Sequence, residues 1–173
     1  KANRSVVTIG MAGEKLVRFA SIVNENDRTS GRGGTGAVMG WKKLKCLVVR
    51  GSISNKPKPA HPEEFREAFA AGNTAIVKGF VTGPREGVLS MFGTNMNMNI
   101  INELGALPTR NAQRTTFDEA DLIGGATIKE SILVSNPTCH ACPVACKKEV
   151  AVTEGKYKTR MESAEYESMW ALG

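Results

Sequence analysis

Three cysteines lie within eight residues of one another in the stretch NPTCHACPVAC, which begins at Asn136. Cys139, Cys142 and Cys146 follow the spacing C-x2-C-x3-C, which brings three thiolates close enough to surround one metal centre. A [4Fe–4S] cluster needs four ligands and often takes three from one short loop and one from remote sequence. Zinc sites usually use two separated pairs, and the sequence has no second pair. The spacing favours an iron–sulfur cluster, with zinc or reduced structural thiols as the alternatives.

A second stretch, NDRTSGRGGTGAVMG at residues 26–40, combines five glycines with Arg28 and Arg32. Glycines permit positive φ angles and let backbone amides approach a ligand closely, and amides turned the same way bind anions. The two arginines add permanently charged, fork-shaped donors that suit phosphate oxygens. The stretch has neither the Gly-Lys-Ser/Thr ending of a Walker loop nor the glycine spacing of a dinucleotide fingerprint. It predicts a loop that holds an anionic cofactor group, with a mobile turn as the alternative.

Short elements must position these two loops. Runs rich in β-branched residues predict strands at residues 4–10 and 44–51. A mixed apolar pattern favours a further strand at residues 14–24. The polar stretch at residues 52–62 contains three prolines and marks a boundary. The part of the chain before this boundary is therefore expected to be rich in strands.

The part of the chain after the boundary carries the signals of helices. Pro62 and acidic residues in the first turn predict an amphipathic helix in PEEFREAFAAG. Gly105 and Pro108 are the stop signals of a second helix in TNMNMNIINELGALP. The stretch FDEADLIGGATIKESILV, from Phe117, has early acidic residues followed by apolar residues at helical spacing. The remainder of the chain is expected to be helical.

Composition excludes several classes of protein. Of the 173 residues, 41% are hydrophobic and 23% are charged, which is typical of a globular protein. No apolar run is long enough to span a membrane, and the first residues lack the pattern of a signal peptide. A net charge of +6 with 6% aromatic residues and no nucleic-acid-binding motif argues against nucleic acid as a partner. The charge favours an acidic protein partner or anionic cofactor groups.

The four cysteines are not expected to form two disulfides in a chain that looks cytosolic. Cys46 lies in the apolar run LKCLVV and is predicted to be a buried packing thiol. The other three belong to the cysteine loop.

Three segments follow one another along the chain: TIGMAGEKLVRFASIVNENDRTSGRGGTGAVMGWKKLKCLVVRGS, NPTCHACPVAC and ESAEYESMWALG. In that order they resemble the pterin-cradling segment, the cluster loop and the following segment of the tungsten-containing aldehyde:ferredoxin oxidoreductase family. FGTNMNMNIINELGALPTRN fits between the first two. The resemblance covers nearly the whole chain and is weakest between Ser52 and Gly87.

The resemblance implies an α+β fold, in which a β-rich pterin-cradling segment precedes a mainly helical domain, both incomplete. Residues 1–52 correspond to the C-terminal part of the β-rich metallopterin-binding domain, and residues 53–62 to a linker. Residues 63–173 correspond to the N-terminal part of the helical domain that carries the cysteine loop.

The resemblance also implies roles for the glycine-arginine stretch. Arg28, Thr29, Gly31 and Arg32 fall where the family contacts its paired metallopterins, whose phosphates are linked through magnesium. The family usually has a small apolar residue at the position of Thr29, a change that is harmless where the contact is made by the backbone.

Two further roles follow from the same resemblance. Cys139, Cys142 and Cys146 match the first three ligands of a [4Fe–4S] cluster, and the fourth cysteine is expected outside this chain. Glu167 matches a glutamate proposed to handle protons beside the tungsten, whereas Glu165 is expected to point elsewhere. Taken alone, Glu167 would be interpreted as a surface carboxylate.

Lys147 and Lys148 stand directly after the third cysteine, where the family is expected to have glycine-like residues. Two cations beside a cluster would favour its reduced state and raise its potential. They could equally attract an acidic ferredoxin, form a docking face for another subunit, or be solvated.

The implied activity is the oxidation of an aldehyde to its carboxylic acid at a tungsten bis-pterin centre, with molybdenum as the alternative metal. Electrons would pass through the cluster to ferredoxin, and this chain by itself is expected to be inactive. The alternatives are the tungsten subunit of an aromatic acyl-CoA reductase complex and, in a different class, a stand-alone electron-transfer or zinc-binding module. The expected partners are an aldehyde, ferredoxin or another electron-transfer subunit, and the other subunits of a homo- or hetero-oligomer in the cytoplasm.

Overall fold

In the computed structural model, which describes residues 4–25, 28–52 and 57–172, the chain divides into two units, Lys1–Ala60 and His61–Gly173. Parts of two predicted segments, the start of the glycine-arginine stretch and residues 53–56 of the linker, lie outside the described residues. The assignment of residues 1–52, 53–62 and 63–173 to parts of two larger domains stays a prediction.

The first unit contains a four-stranded antiparallel sheet in the order β3-β2-β1-β4. The β-branched run RSVVTI forms the inner strand β1 and pairs on either side with β2 and β4, which confirms the strands predicted at residues 4–10 and 44–51. The strands are β1 (Arg4–Ile9), β2 (Ile22–Asn24), β3 (Arg28–Ser30) and β4 (Cys46–Arg50).

The strand predicted at residues 14–24 is wrong over most of its length. A short helix, α1 (Met11–Glu14), precedes a series of turns, and only β2 is extended. The backbone bonds of these turns are local, as in the donation from Val17 N to Ala12 O at 2.9 Å, so no sheet partner is required. The mixed apolar pattern of residues 14–24 therefore belongs to a segment that consists mostly of turns and contains only one short strand.

The glycine-arginine stretch is less of a loop than predicted. Of its described residues, 28–30 form β3 and 35–40 belong to the helix α2 (Thr35–Trp41), which leaves residues 31–34 as the connecting turn. Cys46 was predicted to be buried and is exposed, because it belongs to β4 at the edge of the sheet, where every residue is exposed in this chain.

The second unit is mainly helical, and the helices predicted from Pro62 and before Gly105 are confirmed. Gly105 has φ +66°, the left-handed conformation that ends a helix. The third predicted helix is shorter than expected, because a 3-10 turn (Ala120–Ile123) occupies its start. The helices are α3 (Pro62–Lys78), α4 (Val88–Phe92), α5 (Asn97–Glu103), α6 (Thr109–Ala112, a turn with left-handed dihedral angles inside it), α7 (Gly125–Ser131) and α8 (Tyr166–Leu172).

The second unit is mainly helical, as expected, but it also contains a second antiparallel sheet after α7, for which the sequence analysis predicted no strands. Its strands, β5 (Leu133–Ser135), β6 (Glu149–Val152) and β7 (Thr159–Glu162), are arranged in sequence order. Glu149 joins the three strands, since it accepts hydrogen bonds from Ser135 Oγ at 2.6 Å and from Arg160 Nε at 2.7 Å. These donors lower the pKa of the Glu149 carboxyl to about 2. With helices and two antiparallel sheets, the predicted α+β class is confirmed.

The core of the second unit lies under α8. Met98, Leu107 and Ala120 are buried at its centre. Tyr166, Met169 and Trp170, spaced as one face of a helix, pack against them. In the part of the chain that the structure describes, no helix is both long and apolar enough to cross a membrane.

Candidate functional site

The cysteine loop connects β5 to β6 and has an unusual backbone. Ala141 and Ala145 have φ angles of +55° and +52°, and each directly precedes a cysteine, Cys142 and Cys146. Non-glycine residues seldom adopt this left-handed conformation, and their backbone changes the direction of successive amide groups. Such turns form the anion-binding concavities found at many iron–sulfur sites.

The loop is also held together by its own hydrogen bonds. Cys142 N donates to Cys139 O at 3.1 Å, and the Thr138 hydroxyl donates to the carbonyl oxygen of Cys142. Cys139 is exposed, whereas Cys142 and Cys146 are half-buried, and no disulfide forms among the four cysteines. In the described ranges, no three Cys, His, Asp or Glu side chains are gathered into a metal site. The fit of this loop to a cluster therefore rests on its thiol donors and on the two left-handed turns.

The two lysines after the loop are buried, with exposed fractions of 6% for Lys147 and 4% for Lys148. Lys147 Nζ forms an ion pair with Glu162 at 3.1 Å. Lys148 Nζ instead donates to backbone carbonyls, the nearest of which is Ser90 O at 2.8 Å. Burial lowers the pKa of Lys148, while the charge of Cys146 raises it. The proposals of solvated lysines and of a lysine docking face are wrong, because both ammonium groups are used inside the unit.

A 3-10 turn, Gly93–Met96, lies against both the end of the cysteine loop and the start of α8. Gly93 has φ +65°, and a Cβ there would lie 3.0 Å from Cys146 O, so the close approach requires glycine. On the other side, Asn95 Nδ2 donates to Ala164 O at 2.8 Å and Tyr166 N donates to Thr94 Oγ1 at 3.1 Å. One short turn thus fixes both the end of the cysteine loop and the beginning of α8.

The two carboxylates near the start of α8 differ in their surroundings. Glu165 accepts a short hydrogen bond from the Thr94 hydroxyl, which ties it to the 3-10 turn. Glu167 is exposed, and so is Glu165. Burial raises the pKa of Tyr166, and the neighbouring charge of Glu167 raises it further. That the two glutamates point in different directions stays a prediction, as does the catalytic role of Glu167.

In the first unit, the predicted cofactor contacts lie on one exposed edge. Arg28 and Thr29 are in β3, and Gly31 and Arg32 are in the turn that follows it. Within that turn, Gly34 N donates to Gly31 O at 3.1 Å. Two exposed guanidinium groups around a tight turn suit an anionic group. Nothing in the structure tests these four contacts, which stay predictions.

Three other glycines of the stretch, Gly34, Gly36 and Gly40, serve packing rather than ligand approach, whereas Gly33 faces open space. A Cβ on Gly34 would lie 1.9 Å from Arg18 O, one on Gly36 would lie 2.5 Å from Ser21 O, and one on Gly40 would lie 1.9 Å from Gly13 O. These distances are shorter than any real Cβ contact, so the protein's own backbone fills the space. The sequence analysis missed this role, and therefore assigned too much of the glycine content to a cofactor.

We expect Gly40→Ala to destabilise the first unit by about 3 kcal/mol, the upper range for overpacking, because α1 and α2 must separate. Gly72→Ala is the control: nothing lies within 4 Å of a Cβ at this exposed position of α3. It should be neutral or stabilise by about 0.5–1 kcal/mol. Proteolysis of the full-length protein in increasing urea measures both. Equal resistance of Gly40→Ala and wild type would contradict the packing role.

Comparison with known proteins gives matches along almost the whole chain. The family model described as aldehyde ferredoxin oxidoreductase, domains 2 & 3, matches residues 73–173, and the model of its N-terminal domain matches residues 1–51. Tungsten-containing aldehyde ferredoxin oxidoreductases from Pyrococcus abyssi and Thermococcus kodakarensis are 40% and 39% identical. Each comparison covers 97% of this chain and 26% of the relative, so the chain spans about a quarter of their length.

Two more distant proteins are similar over the same extent. A protein of Pyrococcus furiosus named aliphatic sulfonate oxidoreductase, WOR-like subunit, is 28% identical over 98% of this chain and 26% of its own length. A solved structure, the active site complex BamBC of benzoyl coenzyme A reductase in complex with 1,5 dienoyl-CoA, matches with a TM-score of 0.61 and 25% identity. It covers 97% of this chain and 26% of the other.

Proposed function

This chain belongs to the aldehyde ferredoxin oxidoreductase family, and on that premise we propose that it forms part of a tungstopterin enzyme that oxidises aldehydes to carboxylic acids. The observation that carries the proposal is its identity of about 40% to tungsten-containing aldehyde ferredoxin oxidoreductases. Identity to the sulfonate oxidoreductase subunit and to the benzoyl-CoA reductase structure is lower, at 28% and 25%.

The exposed edge of the first unit would hold the pterin cofactor. Arg28 and Arg32 would pair with the phosphate oxygens of the two pterins, and the backbone of Thr29 and Gly31 would approach them closely. Magnesium would link the phosphates, and its charge would add to that of the guanidinium groups. When bound, the tungstopterin supplies the two-electron redox chemistry.

The cysteine loop would hold a [4Fe–4S] cluster through Cys139, Cys142 and Cys146, with the fourth cysteine from outside this chain. The left-handed Ala141 and Ala145 support this, because such residues change the direction of backbone amides and form anion-binding concavities, as at many iron–sulfur sites. Ferredoxin would accept the electrons one at a time. Zinc suits this loop less well, since a structural zinc site is usually closed by two pairs of ligands.

Glu167 would act as the general acid and base. Oxidation of an aldehyde, with water as the source of the added oxygen, gives a carboxylate, two electrons and three protons, so a group must accept protons close to the substrate. Glu167 would be presented for this by α8, whose Tyr166, Met169 and Trp170 pack in the core. Proton transfer at this carboxyl would require that the rest of the enzyme partly shields it from water.

A second candidate function is favoured by the solved structure of the benzoyl coenzyme A reductase complex. On this alternative, the chain belongs to the tungsten subunit of a complex that reduces an aromatic acyl-CoA, and its partners are further subunits. A stand-alone electron-transfer or zinc-binding module is disfavoured, because the two family models together cover both units of the chain.

The proposal is tested on the full-length protein prepared anaerobically. Elemental analysis should find tungsten and iron, with molybdenum as the alternative metal, and assays with ferredoxin should show oxidation of aldehydes. Reduction of aromatic coenzyme A esters without aldehyde oxidation would favour the second candidate. Protein that binds zinc and contains neither tungsten nor molybdenum would contradict both.

A further inference from the structure

Lys148 is a buried cation surrounded by backbone carbonyls. Its Nζ lies 2.8 Å from Ser90 O and 3.2 Å from each of the carbonyl oxygens of Ala145, Cys146 and Lys147. An ammonium group has three protons, so the four oxygens share them. Three of these carbonyls belong to the end of the cysteine loop, and the fourth belongs to α4, 58 residues earlier.

We propose that Lys148 is a positioning residue for the cluster: its buried ammonium fixes the backbone around the third cysteine and places a positive charge beside it. The proposal rests on the function proposed above, in which Cys146 is a ligand. The contacts of Lys148 Nζ are with backbone carbonyls, so its role is indirect and acts through the loop.

The positioning follows from peptide geometry. In a trans peptide the C=O and N–H groups point in opposite directions, and no cis peptide occurs in the described ranges. Carbonyls of Ala145, Cys146 and Lys147 that face the ammonium therefore turn the following N–H groups away from it. These N–H groups belong to the third cysteine and the two residues after it, and hydrogen bonds from amides to cluster sulfurs are one determinant of the reduction potential.

The carbonyl contacts also hold the loop against a tightly packed neighbour. Gly93 lies against Cys146 O and the Lys148 side chain: a Cβ at this position would be 3.0 Å from the oxygen and 3.4 Å from Lys148 Cγ. Loss of the ammonium would leave these carbonyls without the donor that they share, and carbonyls that lack a hydrogen-bond partner inside the protein destabilise the fold. The end of the loop would then no longer be held to α4.

The charge of Lys148 has a different effect from that of its neighbour. Lys147 is one residue closer to Cys146 in the sequence and is also buried, but its ammonium is paired with the carboxylate of Glu162 at 3.1 Å. The pair has no net charge, whereas the hydrogen-bond acceptors of Lys148 are neutral carbonyls. A net positive charge near a cluster favours its more negative, reduced state.

The test compares Lys148→Met with the double variant Lys147→Met/Glu162→Met in full-length protein. The double variant also removes a buried ammonium, together with its half-buried carboxylate partner, but leaves the net charge unchanged. We expect Lys148→Met to lose iron several-fold faster under a chelator and to shift the midpoint potential of the remaining cluster to more negative values. The potential is measured by redox titration with electron paramagnetic resonance, and the double variant should stay close to wild type.

Lys148→Gln separates the two effects. Its amide can still donate to carbonyls, so iron retention should be largely restored, but the absence of charge should leave the potential shifted to negative values. If the wild type shows the cluster signal but Lys148→Met and the double variant have equal potentials and equal iron retention, the role proposed for Lys148 is overturned while the proposed cluster stands. Wild-type protein that contains tungsten but shows no iron–sulfur signal would overturn the proposed cluster, and this inference with it.

Discussion

Replacement of Glu167 by glutamine is expected to lower aldehyde turnover by about 10²–10⁴-fold, the usual contribution of a general acid or base. Glutamine has nearly the same shape but cannot accept a proton, so binding of tungsten and iron should be unchanged. The core contacts of α8 are made by Tyr166, Met169 and Trp170 and should also be unaffected. Steady-state kinetics with an aldehyde and ferredoxin, together with metal analysis of the same preparation, measure both quantities.

Glu165→Gln is the matched control for this experiment. Glu165 lies two residues away and accepts a hydrogen bond from the Thr94 hydroxyl at the start of α8. Glutamine retains an acceptor for that hydroxyl, so turnover should change far less than in Glu167→Gln. Wild-type turnover in Glu167→Gln would remove Glu167 from the mechanism. Loss of tungsten in that variant would indicate a structural role instead.

The elements that could be predicted from the sequence are those with strong local signals. The β-branched run from Arg4 forms the strand β1, and the helix that begins at Pro62 has proline and acidic residues where a first turn accepts them. The cysteine loop was also recognisable, because the spacing of metal ligands in a short loop is itself local information. Its left-handed alanines were not, since alanine has no preference for that conformation.

The roles of the glycines in the glycine-arginine stretch could not be predicted, because they depend on distant backbone. Gly34 packs against Arg18 O in the turns after α1, and Gly40 packs against Gly13 O where α2 contacts α1. From the sequence, a glycine that approaches a phosphate and a glycine that approaches a carbonyl look identical. Gly33, which faces open space, and Gly31, which has only an ordinary contact at 3.6 Å, are the glycines of the stretch whose presence a ligand could explain.

The lysines after the third cysteine show the same limit. A Lys-Lys pair is ordinarily interpreted as exposed, because charged side chains are seldom buried without partners. Here the partners come from far along the chain: Ser90 from α4 and Glu162 from β7. Burial of a charge is a property of the assembled unit, and no pattern within the cysteine loop indicated it.

Replacement of Cys142 by serine is expected to remove most of the iron from the full-length protein and to abolish its iron–sulfur signal. A serine hydroxyl has nearly the same size but is not ionised at neutral pH, whereas cluster iron is held by thiolates. Cys46→Ser is the matched control, because Cys46 lies exposed on the edge strand β4 of the other unit. Iron and sulfide analysis should distinguish the two variants clearly.

The same substitution should alter the loop itself. Residues such as Ala141 and Ala145, held in the left-handed region, cost about 1–3 kcal/mol each and persist only where surrounding interactions fix them. In the proposed cluster, ligation of the thiolates would be one such interaction, so its loss should let the exposed part of the loop relax and become more sensitive to proteolysis near Cys139. Full iron content in Cys142→Ser would exclude this cysteine as a ligand. Equal iron loss in Cys46→Ser would indicate general unfolding rather than the loss of one ligand.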